Sequence, residues 1–259
     1  MKRALILALA LACAACTSQM APAAAPPTEA AAPAAGPDYG AAVADAARPP
    51  ADVERDALRH PAAILAFAGV APGQHVVDLG AGGGYYTRLF SAVVGPQGRV
   101  TAVIRPPRPD ATERPRIYAV SEDPRYANVV VNADGYVLAL DQPADVIFVS
   151  QIYHDFFLPQ LAIDPAAAAR AMFAALKPGG TLIIIDHSAA PGSPVVETAS
   201  TLHRIDEAAV VRDMQAAGFV LEADAQTLRN PADDRSIRVF EGDIRGRTDQ
   251  FVLRFRKPN

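Results

Sequence analysis

The sequence contains no tryptophan, and its two cysteines, Cys13 and Cys16, both stand within the first sixteen residues. The rest of the 259-residue chain therefore has no thiol for catalysis, for a disulfide or for a zinc–thiolate site. An excess of positive charge is also missing, since the formal net charge is −4. Such a chain has no field that would attract a nucleic-acid backbone, so we expect no nucleic-acid partner.

The first apolar run is too short to span a membrane. Lys2 and Arg3 precede about twelve apolar residues, whereas a membrane-spanning helix needs roughly twenty, and this pattern is typical of a signal peptide. Small residues precede Cys16, so residues 1–16 resemble a bacterial lipoprotein signal with Cys16 as the lipidated residue, although Cys13 stands where such signals usually have leucine. We therefore expect export and a lipid anchor on the periplasmic side of the membrane. An ordinary secretory signal and a start at Met20 are the alternatives.

The composition divides the remaining chain into two parts. Residues 17–50 are mostly alanine and proline, which predicts an extended tether with no large apolar face to bury. Residues 51–259 have the mixture of apolar and charged residues of a globular domain with a sizeable core. We expect a single folded domain over that range.

The most informative stretch of the sequence runs from Val76 to Phe90. Apolar residues lead to an acid, glycines follow at alternate positions, and a helical pattern then begins, which predicts a buried strand, a tight turn and a helix. Glycine permits positive φ and lets a ligand approach the backbone, and the helix N-terminus offers unpaired N–H groups. The pattern favours a cradle for a nucleotide or cofactor, with a plain glycine-rich turn as the alternative.

The spacing of the glycines narrows the choice of cofactor. A Walker loop needs Gly-Lys-Ser/Thr, which does not follow here. The dinucleotide fingerprint needs a small residue where Tyr85 stands, so a dinucleotide is disfavoured. The pattern that remains is Asp-x-Gly-x-Gly-x-Gly, from Asp78 to Gly84.

This motif resembles the first motif of the class I S-adenosylmethionine-dependent methyltransferases, and the likeness extends from about Asp52 to the C-terminus. Three further strings resemble a little-characterised bacterial branch of that family. They are Tyr153–Asp155, Leu202–Asp206 and Arg229–Arg235. The resemblance implies S-adenosylmethionine as the cofactor and methyl transfer as the reaction.

The order of apolar runs predicts an α/β fold with a doubly wound, mostly parallel sheet. We expect seven strands, at 74–79, 99–104, 127–131, 144–150, 181–185, 219–227 and 251–256. Helices are expected at 85–94, 165–176 and 201–217, with an interrupted one at 52–67. The resemblance implies a Rossmann-like sheet whose seventh strand is antiparallel and lies between strands five and six. Ligands should then bind beyond the carboxyl ends of the parallel strands.

The predicted cofactor contacts begin in the glycine motif. Asp78 is expected to orient the turn and attract the cofactor's ammonium group, with a purely turn-stabilising role as the alternative. Gly80, Gly82 and Gly84 are expected to form the cradle.

The other predicted cofactor contacts follow later strands. The resembled family usually has an acid after strand two that binds the ribose hydroxyls, but this chain has Arg105, which cannot accept hydrogen bonds. Arg105 suits an anionic group, so a phosphorylated dinucleotide stays open. Asp134 matches the family's adenine-contacting acid by position, and an Asp-Gly turn is its alternative. Gln151 lies in the segment that borders the methyl donor in the resembled fold.

Histidines follow the fourth and fifth predicted strands. His154 and His187 should share one rim, because these strands are neighbours, and His203 is expected nearby. Histidine transfers protons near neutral pH and also binds metals, while a structural role is the usual one for a single histidine. We expect His154, and second His187, to take the proton of a methyl acceptor, with no metal in the preferred hypothesis.

Two functions stay open at this point. The first is methyl transfer to a small-molecule acceptor that the sequence does not identify. The second is an exported, methyltransferase-like module that binds a ligand or metal without methyl transfer, since S-adenosylmethionine is made in the cytoplasm. The polar stretch Arg229–Arg235 is expected to cover the substrate or to form a solvated hairpin tip.

Overall fold

The computed structural model describes residues 36–136 and 138–259. The predicted signal and residues 17–35 of the predicted tether lie outside this range, and they stay predictions. The compact unit that the structure describes begins at Gly36, before the expected boundary between tether and domain at residue 50. The first helix, α1 (Tyr39–Val43), packs on the domain: Ala42 is buried, and the Tyr39 hydroxyl donates to the Val70 carbonyl oxygen at 2.9 Å.

The predicted sheet is confirmed. Seven strands lie in the order β3-β2-β1-β4-β5-β7-β6, and β7 runs antiparallel to the other six. The strands are β1 (His75–Leu79), β2 (Arg99–Val103), β3 (Val129–Asn132), β4 (Ala144–Ser150), β5 (Leu176–His187), β6 (Val220–Ala225) and β7 (Gln250–Arg256). The strand order reverses between β1 and β4, where a doubly wound sheet leaves a crevice for its ligand.

The other helices cover both faces of this sheet. They are α2 (Pro50–Val53), α3 (Asp56–Arg59), α4 (Pro61–Ala68), α5 (Tyr85–Val94), α6 (Tyr118–Ser121), α7 (Pro165–Ala175), α8 (Val195–Leu202) and α9 (Glu207–Ala216). Within the described residues, no helix has both the length and the apolar character needed to cross a bilayer.

The single helix expected over 201–217 is wrong. The structure has two helices there, α8, which begins earlier and ends at Leu202, and α9, which begins at Glu207. His203 ends α8 in a left-handed conformation, with φ of 55°. The Asp206 side chain then accepts from the Ala208 amide and starts α9. Short polar residues that cap a helix outcompete helix continuation, which is why one apolar pattern contains a break.

Two apolar layers hold the helices on the sheet. One layer includes Phe90 and Phe148, whose ring centroids are 5.0 Å apart, between α5 and the sheet. The opposite layer includes Met172 and Phe255, below α7 and α9. Because both faces are covered, the central strands read as continuous apolar runs, and the carboxyl edge of the sheet is left for polar chemistry.

The long segment between β6 and β7 is held by ion pairs, one of which is fully buried. The guanidinium of Arg204 makes two hydrogen bonds to the Asp233 carboxylate, at 2.8 and 3.0 Å, and both side chains are buried. Arg229 pairs with Glu207, and Arg235 pairs with Asp249 at 2.8 Å. Residues 229–235 therefore form a segment clamped by ion pairs and not a solvated hairpin tip, and their expected role as a substrate cover stays a prediction.

Candidate active site

The loop after β1 contains three glycines in the left-handed conformation. The φ angles of Gly80, Gly82 and Gly84 are 85°, 57° and 85°. A Cβ on Gly80 would lie only 2.4 Å from Ile152 Cδ1, and one on Gly84 only 2.8 Å from Val120 Cγ2. At Gly82 the nearest atom would be a carbonyl oxygen at 3.9 Å, so of these three glycines only Gly82 faces open space. Gly80 and Gly84 are required by packing, and Gly82 is where a ligand can approach the backbone.

Asp78 connects the end of β1 to helix α5. Its buried carboxylate accepts from the Thr87 hydroxyl, in the first turn of the helix. Burial raises the pKa of Asp78 to about 6, although the Thr87 hydrogen bond and the charge of Arg59 oppose that rise. These contacts orient the loop, so the turn-stabilising part of the role predicted for Asp78 has a structural basis.

Arg59, which the sequence analysis missed, lies beside this loop. Its guanidinium is 4.7 Å from the ring centroid of Tyr85, and Nη2 donates to Gln151 Oε1 at 3.0 Å. Gln151, with φ of 60°, also donates to Gln250. Arg59 belongs to a helix that precedes the first strand and carries no motif, so nothing in the sequence marks it as a site residue.

These residues fit S-adenosylmethionine in two respects. The loop is open at Gly82, and the N-terminus of α5 behind it is a favourable place for a ligand's electronegative groups. Arg59 is a half-buried cation that suits the carboxylate of the methionine portion. The glycine loop, Arg59 and Gln151 are therefore the residues that would hold the cofactor.

Two other predicted cofactor contacts lie on the surface. Arg105 is exposed and interacts with Tyr136, and its charge also reaches Asp155. The amide of Asp134 donates to Asn132 Oδ1 at 2.8 Å, so the side chain of Asn132 forms an Asx turn here. The exposed Asp134 carboxylate is at the end of β3, where the prediction placed it.

The predicted grouping of histidines is present at the carboxyl ends of β4 and β5. The ring centroid of His154 is 6.0 Å from that of His187 and 5.3 Å from that of His203. His203 is also 5.0 Å from the ring of Phe240. His154 and His187 are buried, whereas His203 is half-buried.

Asp186 positions His154, and the sequence analysis gave it no role. Its carboxylate contacts His154 Nδ1 at 2.8 Å and accepts from the His154 amide at 2.8 Å. Burial alone would lower the pKa of His154, but the charge of Asp186 and this hydrogen bond hold it above the ordinary value. The same interactions hold the pKa of Asp186 below its usual range against the effect of burial. Its position as the last acid of a continuous apolar strand is the signal that could have identified it.

His187 has a different environment. Its Nδ1 contacts the Thr248 hydroxyl at 2.7 Å. Burial lowers the pKa of His187 to about 4, and the Asp186 charge only partly opposes that effect. His187 is consequently neutral at neutral pH, and one of its two ring nitrogens is engaged by Thr248.

The glycine loop is in contact with the segment that carries His154. The side chain of Ile152 packs on the Cα of Gly80, and Ile152 lies two residues before His154. His154 in turn begins a short 3-10 turn that ends at Phe157. A cofactor on the loop and an acceptor beside His154 would therefore be neighbours.

The comparisons with known proteins agree with this arrangement. The family model of protein-L-isoaspartate(D-aspartate) O-methyltransferase (PCMT) matches residues 53–189, which include the glycine loop, His154 and His187. A ubiquinone/menaquinone biosynthesis C-methyltransferase, UbiE, of Vibrio parahaemolyticus is 31% identical over 179 residues, which cover 66% of this chain and 60% of that protein. The chain spans only about half to three-fifths of the length of such curated relatives.

Solved structures share the fold at low sequence identity. An S-adenosylmethionine-dependent methyltransferase from Aquifex aeolicus has a TM-score of 0.54 and 19% identity, covering 80% of this chain and 93% of the other. A putative sarcosine dimethylglycine methyltransferase from Galdieria sulphuraria has a TM-score of 0.55 and 16% identity, covering 79% and 85%. These similarities establish the Rossmann-like methyltransferase fold alone. With the family model matching more than half of its length, the chain belongs to the class I S-adenosylmethionine-dependent methyltransferases, and S-adenosylmethionine is its cofactor.

Proposed function

We propose that this methyltransferase acts on a small-molecule acceptor whose reacting group lies beside His154. The contact between Ile152 and Gly80 carries the proposal, because it fixes the turn that bears His154 against the cofactor loop. A methyl group presented from that loop and a nucleophile held at His154 would be close enough for a direct displacement.

The cofactor supplies an activated methyl group, and the chain's own residues align the acceptor and remove its proton. Asp186 faces Nδ1 of His154 and favours the tautomer whose Nε2 carries the lone pair that accepts a proton. Once protonated, His154 is stabilised by the neighbouring carboxylate. This arrangement suits a hydroxyl or amine acceptor, and also a phenol whose ring carbon becomes nucleophilic after deprotonation.

We assign proton acceptance to His154 and not to His187. The pKa of His187 is lowered to about 4, so it is a weak base, and its Nδ1 is engaged by Thr248. His187 instead serves as a neutral neighbour that packs beside His154 in this proposal.

Some of the proposed site residues contact the cofactor, and others hold the contacting residues in place. The backbone at Gly82 approaches the cofactor, whereas Gly80 and Gly84 keep the loop in shape. Arg59 takes the methionine carboxylate, and Gln151 holds the Arg59 side chain in place through its hydrogen bond. Arg105 and Asp134 stay proposed contacts at the outer end of the cofactor.

The names of the relatives support a small acceptor. The relatives are named as C-methyltransferases of ubiquinone and menaquinone biosynthesis, which supports a small acceptor. The family model is named for O-methylation of protein L-isoaspartate and D-aspartate, so it supports methyl transfer but not the size of the acceptor. A base at His154 serves hydroxyl and ring-carbon acceptors alike. The alternative module without methyl transfer is not favoured, because the family model and the relatives are all methyltransferases.

Export and lipidation at Cys16 remain part of the proposal, and they rest on the sequence of residues 1–16. Mass spectrometry of the mature N-terminus tests them. A diacylated or triacylated Cys16 is expected, and an intact Met1 or a start at Met20 would contradict export.

Two measurements test the catalytic proposal. Calorimetry of the full chain should show binding of S-adenosylmethionine in preference to NADPH. With a panel of phenols and catechols as trial acceptors, His154→Ala should lower the formation of S-adenosylhomocysteine by about 10²–10⁴-fold and leave cofactor affinity nearly unchanged. Equal turnover in the variant and the wild type would exclude His154 as the base.

A further inference from the structure

Three potential metal ligands converge on one point beside the proposed acceptor position. His154 Nε2 is 3.3 Å from His203 Nδ1 and 3.3 Å from Asp155 Oδ1, and the last two atoms are 3.8 Å apart. None of these three contacts has a hydrogen-bond distance typical of a strong charge-assisted pair. The three residues form one cluster of nitrogen and carboxylate ligands.

The size of this triangle matches a metal ion. The point equidistant from the three atoms lies about 2.0 Å from each of them, which is the distance at which zinc binds imidazole nitrogen and carboxylate oxygen. We propose that His154, His203 and Asp155 form a binding site for a divalent transition-metal ion. Two imidazoles and one carboxylate favour Zn²⁺, Fe²⁺ or Mn²⁺ over Ca²⁺ and Mg²⁺, which prefer all-oxygen sites.

The surroundings of His154 support the role of a ligand. The buried carboxylate of Asp186 faces Nδ1 at 2.8 Å, so Nε2, the atom of the triangle, carries the lone pair. A carboxylate behind a metal-bound histidine is the common way in which proteins fix the tautomer and orientation of the ring. This contact exists in the chain independently of the three ligands.

The backbone directs His203 into the cluster. His203 has a φ of 55°, an uncommon conformation for a residue other than glycine, and it ends α8 there. Such conformations cost free energy and often mark functional positions. At that position the ring reaches His154, whereas a continued helix would carry the chain past the cluster.

One contact competes with the ion. Nη2 of the exposed Arg238 lies 3.1 Å from His203 Nε2 and donates to it, which places the proton of a neutral His203 on Nδ1. Metal binding requires the other tautomer, so the Arg238 side chain must move away. Removal of Arg238 should consequently strengthen metal binding.

This inference deepens the proposed function and rests on it only for its catalytic consequence. With an ion bound, His154 would be a ligand and no longer the base. The ion would lower the pKa of an acceptor hydroxyl at an open position, and the proton would pass to solvent. The metal site itself does not depend on methyl transfer. It is therefore tested without S-adenosylmethionine.

The experiment measures binding of Zn²⁺ alone to the full, untagged chain, together with absorption spectra of the Co²⁺-loaded protein. We expect one ion per chain and absorption bands of Co²⁺ bound by nitrogen and oxygen. His203→Asn keeps a residue that tolerates the left-handed backbone but removes the imidazole, and Asp155→Asn removes the carboxylate charge. Each should weaken binding by at least tenfold, and Asp186→Asn should weaken it by about 10–100-fold.

Three further variants accompany these. His60→Ala removes an exposed histidine outside the cluster and should leave zinc binding unchanged, while Arg238→Ala should strengthen it. Gly82→Val separates the two hypotheses, because it should abolish S-adenosylmethionine binding without altering zinc binding. Circular dichroism confirms that each variant is folded. Absence of zinc binding in the wild type, or equal binding in folded His203→Asn and Asp155→Asn variants, would overturn the proposal.

Discussion

The ion pair between Arg204 and Asp233 offers the most direct test of how the long segment before β7 is held. Asp233→Ala removes both acceptors of the Arg204 fork. The guanidinium keeps only its hydrogen bonds to the carbonyl oxygens of Ser188 and Ile237, at 3.1 and 3.0 Å. The variant therefore leaves a positive charge buried without its partner.

The expected loss of stability in Asp233→Ala follows from the burial of the ion pair. The exposed fractions of the two side chains are 0% and 1%. Removing one partner of such a pair costs about 3–5 kcal/mol, because the remaining charge is left uncompensated. The Asp233 carboxylate also accepts from the amides of Asp249 and Arg235, at 2.7 and 3.0 Å, and these bonds are lost as well. We expect the melting temperature to fall by about 6–20 °C for a domain of this size.

Urea denaturation followed by circular dichroism gives the free energy of unfolding. Asp234→Ala is the matched control, because Asp234 is adjacent, exposed and bonded only locally to Ser236. The free energy of unfolding of Asp234→Ala should fall by about 1 kcal/mol or less. The double variant Arg204→Met/Asp233→Leu should recover part of the stability lost in Asp233→Ala, because it removes the unpaired charge. If the free energy of unfolding of Asp233→Ala falls by less than about 1 kcal/mol, the claim that the pair is buried and essential is refuted.

Three further predictions concern the loop and the histidines. Gly82→Val should abolish S-adenosylmethionine binding in calorimetry. Gly73→Val is the control, because Gly73 has a φ of +79° and open space around it but lies outside the site. It should destabilise the chain without affecting binding. The free energy of unfolding should fall as the pH is lowered from 6.5 to 4, because His187 takes up a proton in that window only when unfolded, and His187→Gln should weaken this dependence. The rate of methyl transfer should rise with pH through a pKa above 6.5, since His154 must be neutral to accept a proton, and a flat pH profile would contradict the assignment.

The strands of the sheet could be predicted from the sequence because the residues that mark each strand are adjacent in the chain. Apolar runs covered on both faces and the glycine turns between them identify the strands, and the predicted strand from Ala144 to Ser150 has the bounds that the structure gives. Helix α5, from Tyr85 to Val94, is likewise where the glycine motif placed it. The place of the antiparallel seventh strand between strands five and six followed from the family resemblance, and it is confirmed.

The residues that act on the site from a distance could not be predicted in this way. Arg59 reaches Gln151 across 92 positions of the chain, and Asp186 reaches His154 across 32. Neither pairing has a spacing or periodicity that a local pattern records. The role of Asp233 was missed for the same reason, since a polar string predicts a loop but not the buried cation that the loop holds.

The clamp and the histidine cluster are connected through the backbone, because Arg204 directly follows His203. Arg204 fixes the end of α8 against Asp233, and His203 holds its left-handed conformation at the same place. The clamped segment also supplies Phe240, which lies against the His203 ring. Asp233→Ala should therefore loosen His203 in the protein that remains folded, and zinc affinity measured well below the melting temperature should fall although no ligand is removed. Unchanged zinc affinity in that variant would show that the clamp stabilises the fold without positioning the site.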